Sequence, residues 1–128
     1  MIRTRGLTHV TLKVGDLDRA IAFYATLLDA RVLIRNDRTA EIGTPGAHDV
    51  ITLEVSEEAE SGSLGTHIGF RLVEPLPVET LGAAVTGAGG TVVESGEFGP
   101  GQPYVFARDP DGYAIELWFE PENEARPE

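Results

Sequence analysis

Three residues carry the chemistry this chain can offer: His9, His67 and Glu116. Each falls in an alternating segment, on the parity opposite the apolar residues. In Leu7–Val14, Val10, Leu12 and Val14 share one parity, and His9, Thr11 and Lys13 the other. In Gly65–Val73, Ile68, Phe70 and Leu72 oppose His67, Gly69 and Arg71. In Gly112–Phe119, Tyr113, Ile115, Leu117 and Phe119 oppose Ala114, Glu116 and Trp118. Strand side chains alternate faces, so burying the apolar parity turns all three residues away from the core, each at a mid-strand position. Two imidazoles and a carboxylate are donors for a divalent metal with coordination positions left open.

The elements that must position them recur in the same order twice. After the first strand, Leu17, Ala20, Ile21, Tyr24, Leu27 and Leu28 repeat at helical spacing within Gly15–Ala30. Asp16 suits the N-cap, and the helix should end near Asp29. Strands then follow at Arg31–Arg35, near Thr39–Gly43 and at Asp49–Val55, separated by Asn36-Asp37 and Pro45-Gly46. The second half opens with a strand at Thr66–Val73 and a helix within Pro77–Gly90. Strands at Thr91–Ser95, Pro103–Asp109 and Tyr113–Phe119 complete it, the last two joined by the turn Asp109–Gly112. His9 and His67 occupy equivalent places, as do Ile51–Leu53 and Ile115–Leu117, so Thr52 is the internal counterpart of Glu116. The reading is an α+β chain of two tandem β-α-β-β-β modules, about 6–56 and 65–120, forming a curled mixed sheet within one domain. Residues 57–64 make a polar linker and 121–128 an acidic tail.

Composition narrows the function. At 128 residues the chain can bury a real core. A net charge of −11 with a single lysine, Lys13, argues against nucleic acid or an anionic membrane as partner. No apolar run approaches the length of a membrane span, and the first residues lack the apolar stretch of a secretory signal, so cytoplasmic residence is the default expectation. The absence of cysteine excludes disulfides, thiolate metal sites and a cysteine nucleophile.

With these residues in place, the chain resembles the vicinal oxygen chelate superfamily, which includes glyoxalase I, extradiol dioxygenases, fosfomycin-modifying enzymes and bleomycin-binding proteins. The resemblance covers about residues 6–120. It rests on the segments LTHVTLKVGDLDRAIAFYATLL, GTHIGFRL and FARDPDGYAIELW. It implies paired modules curling around a funnel, with metal ligands from the first strand of each module and the last strand of one or both. Those positions here carry His9, His67 and Glu116, with Thr52 in the fourth place. Glyoxalase-like enzymes usually have a carboxylate or amide there; a His, His, Glu set is closer to extradiol dioxygenases and fosfomycin transferases. Against the former, Phe106 stands where ring-cleaving relatives have a tyrosine, and their additional histidines are missing. Against the latter, the lysine expected before the last hairpin is absent from Glu94–Tyr104. The resemblance also implies a homodimer, in many relatives with strands exchanged so that His9 of one subunit joins His67 and Glu116 of the other.

The expected activity is that of a divalent-metal-dependent enzyme acting on a small substrate with adjacent oxygens, with a lean towards dioxygenase-like chemistry. Fe(II) or Mn(II) is favoured, with Zn(II), Ni(II) and Co(II) also suited to the donors. Glu54 and Tyr104 are candidate catalytic groups, and Thr11, Thr52, Arg71, Phe106 and Trp118 candidate substrate contacts. The alternative is a metal-independent, bleomycin-resistance-like protein that binds a flat drug or metabolite in an aromatic funnel.

Overall fold

The structure, a computed structural model, describes residues 1–5, 7–57 and 67–119. The proposed linker, apart from Glu57, and the proposed tail lie outside them. The chain divides into two compact units, 1–60 and 61–128. Each is a β-α-β-β-β module with one four-stranded mixed sheet, the α+β duplication expected from the sequence.

In the first unit, β1 (Val10–Val14) leads into α1 (Leu17–Leu28), followed by β2 (Arg31–Arg35), β3 (Thr39–Gly43) and β4 (Ile51–Val55). The strand order is β1-β4-β3-β2, with β1 parallel to β4 and the other neighbours antiparallel. Asp16 caps α1 by accepting a hydrogen bond from the Arg19 N–H at 3.0 Å, leaving one fewer orphan donor in the first turn. At the other end Asp29 takes a left-handed conformation, φ 56°. It is braced by Arg31, whose guanidinium donates to its carboxylate at 2.9 Å and holds that carboxyl below its ordinary range. The apolar stripe of α1 buries Leu17, Ala20, Phe23 and Tyr24. The last two rings meet edge to face at 4.9 Å, above a sheet face made of Leu12, Val14, Ala40, Ile42, Ile51 and Leu53.

The second unit repeats this plan. β5 (Ile68–Arg71), α2 (Val78–Gly87), β6 (Thr91–Glu97), β7 (Pro103–Arg108) and β8 (Ala114–Trp118) give the order β5-β8-β7-β6. Pro77 stands at the N-cap, with no side chain bonded back into the first turn. Leu81 and Val85 of α2 pack with Val105, Ala107, Ile115 and Leu117 in the core. Even an irregularity is duplicated: the β2–β3 ladder slips between Val32 and Ile34, and the β6–β7 ladder between Val92 and Glu94. Among the described residues no helix is long and apolar enough to cross a membrane.

Several expectations are corrected. His9 and His67 are not mid-strand; each immediately precedes its strand, because the ladders begin at Val10↔Ile51 and Ile68↔Ile115. Val10 was expected on the buried face but is 37 % exposed, lying at the end of an edge strand. β6 extends two residues further than expected, to Glu97.

Candidate metal centre and aromatic face

β8 is an interior strand, flanked by β5 and β7, and is buried from Ala114 through Leu117. Glu116 is therefore a buried carboxylate, 8 % exposed, rather than one on an open face. Burying such a group without a partner is costly. Here His67 Nε2 lies 2.9 Å from Glu116 Oε2. The parallel register explains the meeting: Gly69 is opposite Glu116, so His67, two residues earlier, shares its face. The imidazole is held from the side by Phe106, edge-on at 5.0 Å. A Cβ at Gly69 would make only ordinary contacts, 3.6 Å to Trp118 Nε1 and 4.0 Å to Glu116 Oε2.

The turn before β8 fixes where Glu116 falls. The Asp109 carboxylate accepts hydrogen bonds from the Asp111 and Tyr113 N–H groups, each at 2.9 Å. Gly112 takes φ 91°, which a side chain would strain. The hairpin thereby pairs Phe106 with Glu116 and Tyr104 with Trp118 on one face.

In the first unit the same register sets Thr11 opposite Thr52, and His9, two residues earlier, has the parity of Thr52. Thr52 is half-buried and Thr11 exposed, while Glu54 is exposed further along β4, in register with Lys13 and Thr39. His9 is exposed, and its Nδ1 lies 2.9 Å from the Thr8 hydroxyl. Within either unit, no three described His, Asp or Glu side chains gather as a metal-binding group. The structure thus joins His67 to Glu116, whereas His9 belongs to the first unit. Histidine nitrogen beside carboxylate oxygen is a donor pair suited to a first-row divalent ion, which binds the neutral imidazole and the ionised carboxylate.

Beyond this pair, the face carries Arg71, exposed and in register with Trp118, and the rings of Tyr104 and Phe106, 5.7 Å apart. The Tyr104 hydroxyl donates to Glu94 Oε1 at 2.8 Å. That hydrogen bond, some loss of water, and the negative charges of Glu94 and Glu116 hold the phenol above its ordinary value. Phe98 and Glu94 were missed from the sequence. Their shared parity with Gly96 was the available signal, hidden by the glycine-rich run that follows.

The chain matches the model of the Glyoxalase/Bleomycin resistance protein/Dioxygenase superfamily over residues 6–117. It is 33 % identical over 123 residues to a protein of Brassica oleracea var. gemmifera named putative lactoylglutathione lyase, covering 88 % of this chain but only 44 % of that protein. The chain therefore spans less than half the length of that plant relative. It is 31 % identical over 121 residues to a Vibrio parahaemolyticus protein named probable lactoylglutathione lyase, covering 87 % of this chain and 88 % of that one. In fold it is similar to a mutant fosfomycin resistance protein, FosX, from Listeria monocytogenes, solved with Mn(II) and 1S,2S-dihydroxypropylphosphonic acid. That similarity has a TM-score of 0.74 and 20 % identity, and covers 90 % of each chain.

Proposed function

The chain belongs to the Glyoxalase/Bleomycin resistance protein/Dioxygenase superfamily, and from that premise we propose that it is a divalent-metal-dependent enzyme acting on a small substrate with adjacent oxygens. The proposed ligands are His9, His67 and Glu116. The observation that carries this reading is the 2.9 Å approach of His67 to a buried carboxylate. It is supported by a register that gives His9 the equivalent place in the first unit. The relatives' names favour lyase- or isomerase-type chemistry over the dioxygenase-like reaction, and Phe106 in place of the ring-cleaving tyrosine points the same way.

Bound there, a divalent cation would supply Lewis-acid polarisation of a substrate oxygen. The residues do the rest. His67 and Glu116 offer their lone pairs from a partly dry face, where charge interactions are stronger than in water. Phe106 holds the imidazole plane. Glu54 is the proposed proton acceptor and Tyr104 the proposed hydroxyl contact, while Thr11, Thr52, Arg71 and Trp118 are proposed to line the substrate.

Elemental analysis of protein purified without chelator tests the reading. About one equivalent of a first-row divalent metal per site is expected, and less than about a tenth of an equivalent overturns it.

A further inference from the structure

Two edge strands leave adjacent branched side chains in water. In β2 every residue is exposed, with Val32 at 45 %, Leu33 at 55 % and Ile34 at 64 %. In β6 the exposed pair is Val92 and Val93. Single apolar residues at a surface are ordinary. A run of them along an unpaired sheet edge is a place for another chain to dock.

The two edges share a ladder slip and differ in charge. In β2 the slip leaves Leu33 without an in-register partner on β3, between Val32↔Ile42 and Ile34↔Glu41. Leu33 Cδ1 lies 3.3 Å from where a Cβ on Gly43 would be, so Leu33 leans over bare backbone on the face that Ile34 also occupies. Val32 and Arg35 fall on the other face, in register with Ile42 and Ala40. The charges of β2 stand at its ends, and each is matched: Arg31 pairs with Asp29 at 2.9 Å, and Arg35 with Asp18. β6 instead carries Glu94 and Glu97 and no basic residue. Two β6 edges brought together would oppose four carboxylates, which keeps such an edge from pairing. Two β2 edges meet no such barrier. A chain of net charge −11 repels its own copies over most of its surface, so a neutral apolar edge is where a copy can approach.

We propose that β2 seats the β2 of a second copy, antiparallel about a two-fold axis between Leu33 and Ile34. Leu33 of each copy then meets Ile34 of the other on one face. On the opposite face the aliphatic stem of Arg35 covers Val32 of the other copy, with its guanidinium still held by Asp18. The contact is isologous, so it closes at two copies. It uses the first unit alone and stands apart from the metal-centre reading and from any exchange of strands.

Sedimentation velocity of the full chain tests this between about 1 and 300 µM, the range in which a small interface dissociates. A concentration-dependent equilibrium of monomer and dimer is expected. Ile34→Lys puts an ammonium into the contact at a position already in water, and should weaken the dimer at least about tenfold. Leu33→Ser adds no charge and should weaken it in the same direction, which carries the test if the lysine disturbs the circular dichroism of the fold. Val93→Lys, on β6, should leave the dimer unchanged. Raising the salt concentration should tighten it, because salt screens the repulsion between two copies of charge −11. A monomer throughout the range overturns the proposal, and so does a dimer indifferent to both β2 substitutions, which would be joined elsewhere. Open-ended oligomers that Ile34→Lys and Val93→Lys disrupt alike, and that salt loosens, overturn it too, because they are the signature of β2 meeting β6 of the next copy.

Discussion

The two units share a plan but spend their aromatic residues differently. In the first, the described rings are Phe23 and Tyr24, both fully buried between α1 and its sheet. In the second, α2 packs through Leu81 and Val85, and Phe98, Tyr104, Phe106 and Trp118 lie on the opposite sheet face. The equivalent face of the first sheet is mostly polar, with Thr11, Thr52 and Glu41 in register, exposed Ile34 beside Glu41, and Lys13, Glu54 and Thr39 in the next row. Where the second sheet sets Phe106 beside Glu116, the first sets Glu41 beside Thr52. One copy of the module thus keeps its described rings for the core, while the other, whose Phe70 stays on the core parity beside Leu117, also sets four rings on the opposite face.

The largest effect that tests this contrast is on stability. Phe23→Ala empties a fully enclosed ring site and should cost about 3–5 kcal/mol in denaturant unfolding. Phe98→Ala removes a ring that is half in water and should change stability by less than about 0.5 kcal/mol. Comparable losses from the two would mean that the second unit's rings are core after all.

Metal binding sharpens the comparison next. Glu116→Ala should weaken binding at least a hundredfold, or about 2.7 kcal/mol, whereas Thr52→Ala, at the internal counterpart, should weaken it less than about threefold. Competition against a metal-sensitive dye reads both. Equal losses would mean that the duplication had kept its symmetry in the site as well as in the fold.

Much of this was legible because strand and helix periods are local. The bounds of α1 follow from Asp16 and the apolar stripe, the Asp109 turn from its own residue types, and the correspondence of His9 with His67 from the repeat. What alternation does not carry is a residue's place within the sheet. Glu116 reads as open-faced, but β8 is interior and flanked on both sides, so the carboxylate is buried. Val10 reads as core, but β1 is an edge strand and its first residue is exposed. Phe98 shares the strand parity of Glu94 and Gly96 but falls past the end of β6, and its position depends on Gly96 letting Tyr104 lie flat and give Phe98 a ring to stack on.

The smallest expected effects concern how each unit ends its helix. Both units turn left-handed after it: Asp29 does so at φ 56° with Arg31 bracing its carboxylate, and Gly89 at φ 101° with no side chain to strain. Gly89→Ala leaves open space around the new methyl group but places it on a backbone that disfavours Cβ, and should cost about 1 kcal/mol. Gly82→Ala, inside α2, should do the reverse. Its Cβ would sit 3.6 Å from Val92 Cγ2, an ordinary contact, and alanine is favoured over glycine in a helix interior by up to about 1 kcal/mol. The same substitution a few residues apart should therefore lower the midpoint of thermal unfolding at one position and raise it at the other. Opposite signs would locate the weakness of α2 in its own backbone, and a fall at both positions would show that Gly82 is held against β6 more tightly than a methyl group allows.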